Sequence, residues 1–149
     1  MRIKATNIYA SICLAIGMAC VYGILHHLYG VFTQPYFWDE LGVYSRSSMY
    51  LSDYGLSLLP DSVPDELSRG HPLLCPLYFA CAFKILGCNP FAAHIAAAVL
   101  NAIGFFLVFA ILLKNTKPFV AAAATLAIFV QALFLSQSVL ILPEMPLMV

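Results

Sequence analysis

Charge is what this chain has least of: seven Lys and Arg and seven Asp and Glu stand among 149 residues, 9% charged in all. The two signs cancel, so there is no basic surplus to neutralise a nucleic-acid backbone and no acidic tail, and nucleic acid is excluded as an expected partner. The sequence also lacks any Cys-x-x-Cys pair. Its cysteines, Cys13, Cys20, Cys75, Cys81 and Cys88, are odd in number and lie mostly inside apolar runs. That argues against a disulfide framework or a thiolate metal site and leaves them as small packing residues. No internal repeat or low-complexity tract is present. What fills the chain instead is apolar: 62% of the residues are hydrophobic and the mean hydropathy is +0.91, far outside the usual soluble range. The expected class is an all-α integral membrane protein, with the lipid bilayer as its first partner.

A hydrocarbon core about 30 Å thick takes roughly 20 helical residues to cross. Three segments are long enough, at about 7–32, 90–113 and 118–142. The first follows Arg2 and Lys4, and "GMAC" at Gly17 to Cys20 faintly resembles a lipoprotein cleavage site, but the apolar run continues well beyond it. An uncleaved anchor is therefore expected, with the N-terminus cytoplasmic by the positive-inside rule.

Residues 33–88 are expected to form an outer-face loop with surface helices. Leu41, Tyr44, Leu51 and Tyr54 fall near helical spacing, Asp39 can cap such a helix and Gly55 can stop it. "LLPDSVPDELSRG", Leu58 to Gly70, reads as a proline-interrupted loop. His71 to Gly87 is borderline for a span and carries Pro76 and Lys84. If it crossed, Lys114 and Lys117 would fall outside. If it stays on the surface or re-enters, both lie inside, as charge bias prefers, and Asp39 and Glu144 share the outer face. The whole of 1–149 then reads as a single membrane module. It breaks off a few residues into what reads as a fourth span, so a partial chain, inactive alone, is expected.

An outward anchor, Asp39 and Glu40 at its exit, a "GHPLL" segment at Gly70 to Leu74, two further spans and an acid beside proline in "LPEMP" together resemble the N-terminal part of the GT-C glycosyltransferases that use lipid-phosphate sugars. The similarity is to the protein O-mannosyltransferase and aminoarabinose transferase group, and it covers nearly the whole chain. The family commonly reads His-Pro-Pro-Leu where this chain has His71, Pro72, Leu73 and Leu74, and a basic residue often found early in the next span is here His94.

The resemblance implies a GT-C helical bundle in a bacterial inner (plasma) membrane. It also implies inverting transfer of a sugar from a polyprenyl-phosphate donor to a hydroxyl on a lipid, glycan or protein. Asp39 would be the base, with Glu40 beside it and Glu144 a second carboxylate lining the site. A base that takes the hydroxyl proton as carbon 1 is attacked contributes typically 10²- to 10⁴-fold, and the departing phosphate calls for cationic or hydrogen-bonding groups. Arg46 and His71 are candidates to hold phosphate or sugar, and Lys84 either contacts phosphate or snorkels to the interface. No metal-ligand set is recognisable, although Asp-Glu is compatible with a divalent metal.

Structural roles stand beside these. Asp39 and Glu40 also suit a helix start, Glu144 between Pro143 and Pro146 does the same, and His71 also suits a loop at a helix entrance. His26 and His27 read as interfacial, and His94 and Asn101, on one helical face, read as interhelical hydrogen-bonding groups. The alternative functions are a non-catalytic membrane scaffold, in which the carboxylates only cap helices, and a transporter or flippase fragment, for which mid-membrane charges are expected but absent.

Overall fold

The computed structural model describes residues 5–28, 30–36, 40–42, 44–129, 131 and 140. Among them the chain is helical and contains no strand: α1 (Ala5–Leu28), α2 (Tyr44–Tyr54), α3 (Asp65–Ser68), α4 (Leu74–Leu86), α5 (Pro90–Asn115) and α6 (Pro118–Phe129). One of these helices, α5, is long and apolar enough to cross a membrane. Its 26 residues extend about 39 Å at 1.5 Å per residue.

The boundaries of α5 follow from its flanks. The Asn89 side chain accepts a hydrogen bond from the Ala92 N–H at 2.9 Å, and Pro90 occupies the first helical position, where its missing N–H costs nothing. At the other end Lys114 lies in the last turn, and Thr116 donates its N–H to the Leu112 carbonyl. Two polar side chains along the apolar helices find partners in their own backbone. Asn101 donates from Nδ2 to the Ala97 carbonyl at 3.0 Å and Thr125 donates to the Ala121 carbonyl at 2.8 Å, which lowers the cost of placing them in an apolar medium.

Along α5 the composition changes, and its neighbours change with it. The first half is alanine-rich, and Ala92, Ala93, Ala96 and Ala97 pack with Phe79 and Phe83 of α4. The second half supplies Phe105 and Phe109 to a cluster with Ala121, Ala122 and Phe129 of α6, which Leu14 and Ala15 of α1 join. Farther along α1, Ala19 and Tyr22 border a cavity together with Asn101 and Ala102. Advancing along α1 therefore means retreating along α5: the two are antiparallel, and the end of α1 lies beside the start of α5. Ala93 is fully buried, so Ala93→Leu is expected to destabilise the protein by about 1–3 kcal/mol through overpacking. A thermal melt in detergent checks this, and an unchanged melt would contradict the close α4–α5 approach.

The region between α1 and α5 differs from its sequence reading in three ways. The helix of the first apolar segment stops at Leu28, before Phe32, because Gly30 turns left-handed at φ 62° into a short 3-10 turn at Val31–Thr33. The helix expected from Asp39 starts at Tyr44, after a turn at residues 40–42, and the proposed cap Asp39 lies outside the described residues. Its stop is at Gly55, whose φ of 135° suits glycine.

The buried face of α2 keeps part of the apolar stripe of the spacing argument, with Leu51 buried and Tyr44 half-buried against the core, and adds serines to it. Tyr54 is 77% exposed and Leu41 is exposed, while Ser45, Ser47, Ser48 and Leu51 are buried. Small side chains let α2 approach α4 closely, and two of the serines are satisfied by backbone: Ser47 donates to the Leu67 carbonyl at 3.0 Å and Ser48 to the Tyr44 carbonyl at 2.6 Å. The proline-interrupted loop holds a 3-10 turn at Pro60–Ser62 and the single-turn α3. α4 has 13 residues, about 20 Å, with Pro76 harmlessly in its first turn. The third apolar segment is helical through Phe129, and the rest of it lies mostly outside the described residues.

Candidate functional site

The chain leaving α1 returns to the start of α5 and buries an acid there. Glu40 is 0% exposed and His94, in the second turn of α5, is 1% exposed. Glu40 Oε1 lies 3.3 Å from His94 Nε2. The distance is that of an ion pair, but the ring N–H does not point along a hydrogen bond. We therefore describe the contact as a close polar pair, one that a small rotation of the imidazole would align. The Glu40 carbonyl accepts the Ser45 N–H at 3.2 Å, closing the turn that leads into α2.

Tyr36 completes the surroundings. Its ring meets His94 edge-on with centroids 6.2 Å apart. Burial, followed by the nearby charges of Cys88 and Glu40, pushes the Tyr36 phenol up to about 12, so it stays protonated at neutral pH. The Tyr36 hydroxyl, Ser45 Oγ and His94 Nδ1 are buried with no hydrogen-bond partner among the described residues. These atoms belong to residues that contact Glu40 or His94, and orphaned polar atoms of this kind cluster at functional sites or bind ordered water.

The residues singled out from the sequence fall into three groups. Asp39 and Glu144 lie outside the described residues. Glu40 is inside the protein, paired as above. The other three are exposed. His71, just before α4, places Nδ1 3.3 Å from the Tyr44 hydroxyl, with ring centroids 5.4 Å apart, so it sits at the start of α2 within a few residues of Glu40. Arg46 is on α2. Lys84 is in the last turn of α4, ten helical steps or about 15 Å beyond Leu74.

Tyr36 is the residue that sequence reasoning missed, and His94 was read there as an interhelical hydrogen-bonding group but not as a partner of Glu40. The signal was a lone imidazole one turn into an alanine-rich span, where a polar group is costly unless partnered. Asn101, by contrast, bonds to its own helix.

The cavity between α1, α5 and α6 has a volume of about 50 Å³ and is almost wholly apolar, bordered by Tyr22, Asn101, Phe105, Phe106 and Phe129. Sites for drug-sized ligands run roughly 300–1,000 Å³, so this cavity does not enclose a lipid-linked sugar. Among the described residues no three of His, Cys, Asp and Glu cluster closely enough to hold a metal ion. Comparison with protein-family models, with curated proteins and with solved structures finds no match to this chain.

Proposed function

We propose that this chain is the N-terminal membrane module of a GT-C-type glycosyltransferase that moves a sugar from a polyprenyl-phosphate donor to a hydroxyl acceptor on the outer face. The observation that carries the proposal is the burial of Glu40 against His94 where α1 ends and α5 begins. It places one acid of the Asp-Glu pair, Glu40, at one end of a membrane-length helix. Asp39, one Cα step of 3.8 Å from Glu40, is then the base. Glu40 holds the segment rather than touching substrate, and the exposed His71 with Tyr44 offers hydrogen bonds to phosphate or sugar. In this reading α4 lies on the outer surface, since it is shorter than the hydrocarbon core is thick and joins two elements that meet at the same end of the α1–α5 pair.

Membranes bearing the protein are expected to transfer labelled sugar from a polyprenyl-phosphate donor to a hydroxyl acceptor. Absence of transfer would select a non-catalytic scaffold instead.

The topology has its own test. Ser45 is buried, so the exposed positions Asp53 and Asn115, together with Glu144, suit single cysteines in a cysteine-free background. Positions 53 and 144 are expected to react with an impermeant maleimide in intact cells, and position 115 to be protected. Labelling at 115 and protection at 144 would mean that residues 71–87 cross, and would separate Glu144 from Asp39.

A further inference from the structure

We infer that the outward face of α4 lies in the acyl chains of one bilayer leaflet, so that α4 is seated in lipid and does not face water. This rests on the membrane reading above and is independent of the sugar chemistry. α4 is apolar on every side: in LCPLYFACAFKIL only Lys84 is charged. Pro76, Phe79, Ala80 and Phe83 are buried, and at about 3.6 residues per turn they gather on one side of the helix. Leu74, Cys81 and Ile85 gather on the opposite side and are exposed, Leu74 at 69% and Ile85 at 81%. A helix that is hydrophobic all round needs an apolar cover on its second face as well as its first.

The neighbours of α4 identify that cover as lipid. By their spacing Ala92, Ala96, Val99 and Ile103 share one face of α5. The first two are buried in the cluster with Phe79 and Phe83 of α4, and the Tyr78 hydroxyl donates to the Ala96 carbonyl at 2.7 Å. Farther along, the same face is bare, with Val99 51% and Ile103 48% exposed. Because α5 is the helix of membrane length, α4 occupies over its first half the side that lipid takes over its second. Charge divides the layer in the same sense. α2 and α3 expose Arg46, Asp53, Asp65 and Glu66, whereas α4 exposes only Lys84, in its last turn, from which an ammonium reaches headgroup phosphates. The connection between α2 and α3 is mixed, with Leu58 and Leu59 exposed beside Asp61, and favours neither side.

Spin labels on the full chain in proteoliposomes test this. One variant keeps Cys81 as its sole cysteine and another carries Ile85→Cys in a cysteine-free background; both positions are exposed, so a label there leaves the core undisturbed. Collision of the nitroxide with oxygen, which concentrates among acyl chains, is compared with collision with a water-soluble nickel chelate. The oxygen-to-nickel ratio at 81 and 85 is expected to exceed that at Glu66→Cys on α3 at least about fivefold, and to lie within about threefold of that at Ile103→Cys on α5. A ratio at 81 and 85 equal to that at 66 would put the face in water and overturn the inference. Rare collision with both reagents would mean that protein, such as a second copy of the chain, covers the face, and would overturn it too. A water-like ratio at 103 would remove the membrane reading itself. A lipid-like ratio at 103 with a water-like one at 81 and 85 would leave that reading standing and remove the seat of α4 alone.

Discussion

Asp39→Asn is expected to lower sugar transfer by at least about 10²-fold, the low end for a lost general base, or about 3 kcal/mol of barrier. The amide keeps the size and most of the hydrogen-bonding ability of the acid but not its proton affinity. Expression and the unfolding midpoint should stay near those of the unsubstituted protein, because the amide is isosteric with the acid. Rates are to be measured with donor and acceptor saturating, so that binding changes do not enter. A variant that turns over at near-normal rates would take Asp39 out of the mechanism. A variant that fails to accumulate would give it a structural role instead.

The second large effect is expected at the pair itself. Glu40→Leu leaves a buried imidazole without its partner, and His94→Phe leaves a buried carboxylate. Each single change is expected to cost about 2–4 kcal/mol, between the penalty for an orphaned neutral group and that for an uncompensated buried charge. The double substitution places two apolar side chains in contact and should cost much less than the sum. The cycle can be read from unfolding in mixed micelles, where a coupling of at least about 1.5 kcal/mol is expected. Additive losses would mean that the 3.3 Å approach carries no energy.

Much of the helical layout was legible because it depends on local chemistry. Asn89 and Pro90 announce the start of α5, and the apolar run to Leu113 announces its length. Gly55 and Gly87 end α2 and α4 at positive φ. The buried face of α2 was not legible. Serines at 45, 47 and 48 score as polar, and only the approach of α4 makes small size the property that matters.

The site was half legible for a similar reason. Nothing local distinguishes Glu40 from Asp39, and an acid after an anchor reads equally as a cap. Its identity as the anchored member comes from a histidine far along the chain, and the two meet only because α1 and α5 run antiparallel. The start of the helix expected from Asp39 was not legible, because residues 40–42 form a turn before Tyr44. The turn closed by Ser45 N–H on the Glu40 carbonyl stands in its place.

The division of α5 into an alanine-rich and a phenylalanine-rich half has a thermodynamic consequence. In the membrane reading the second half packs against α1 and α6 among lipid tails. There, association is driven by close van der Waals contact rather than by release of water, and separating those helices hydrates little new surface. The first half packs under α2 and α4, where parting the layers wets Phe79, Phe83 and Leu51. The heat capacity of unfolding, which follows newly wetted apolar area, therefore belongs mainly to the outer layer. Cooling weakens that layer's hydrophobic contacts while leaving the lipid-embedded contacts nearly unchanged, so the Glu40–His94 pair rests on the more temperature-sensitive half of the molecule.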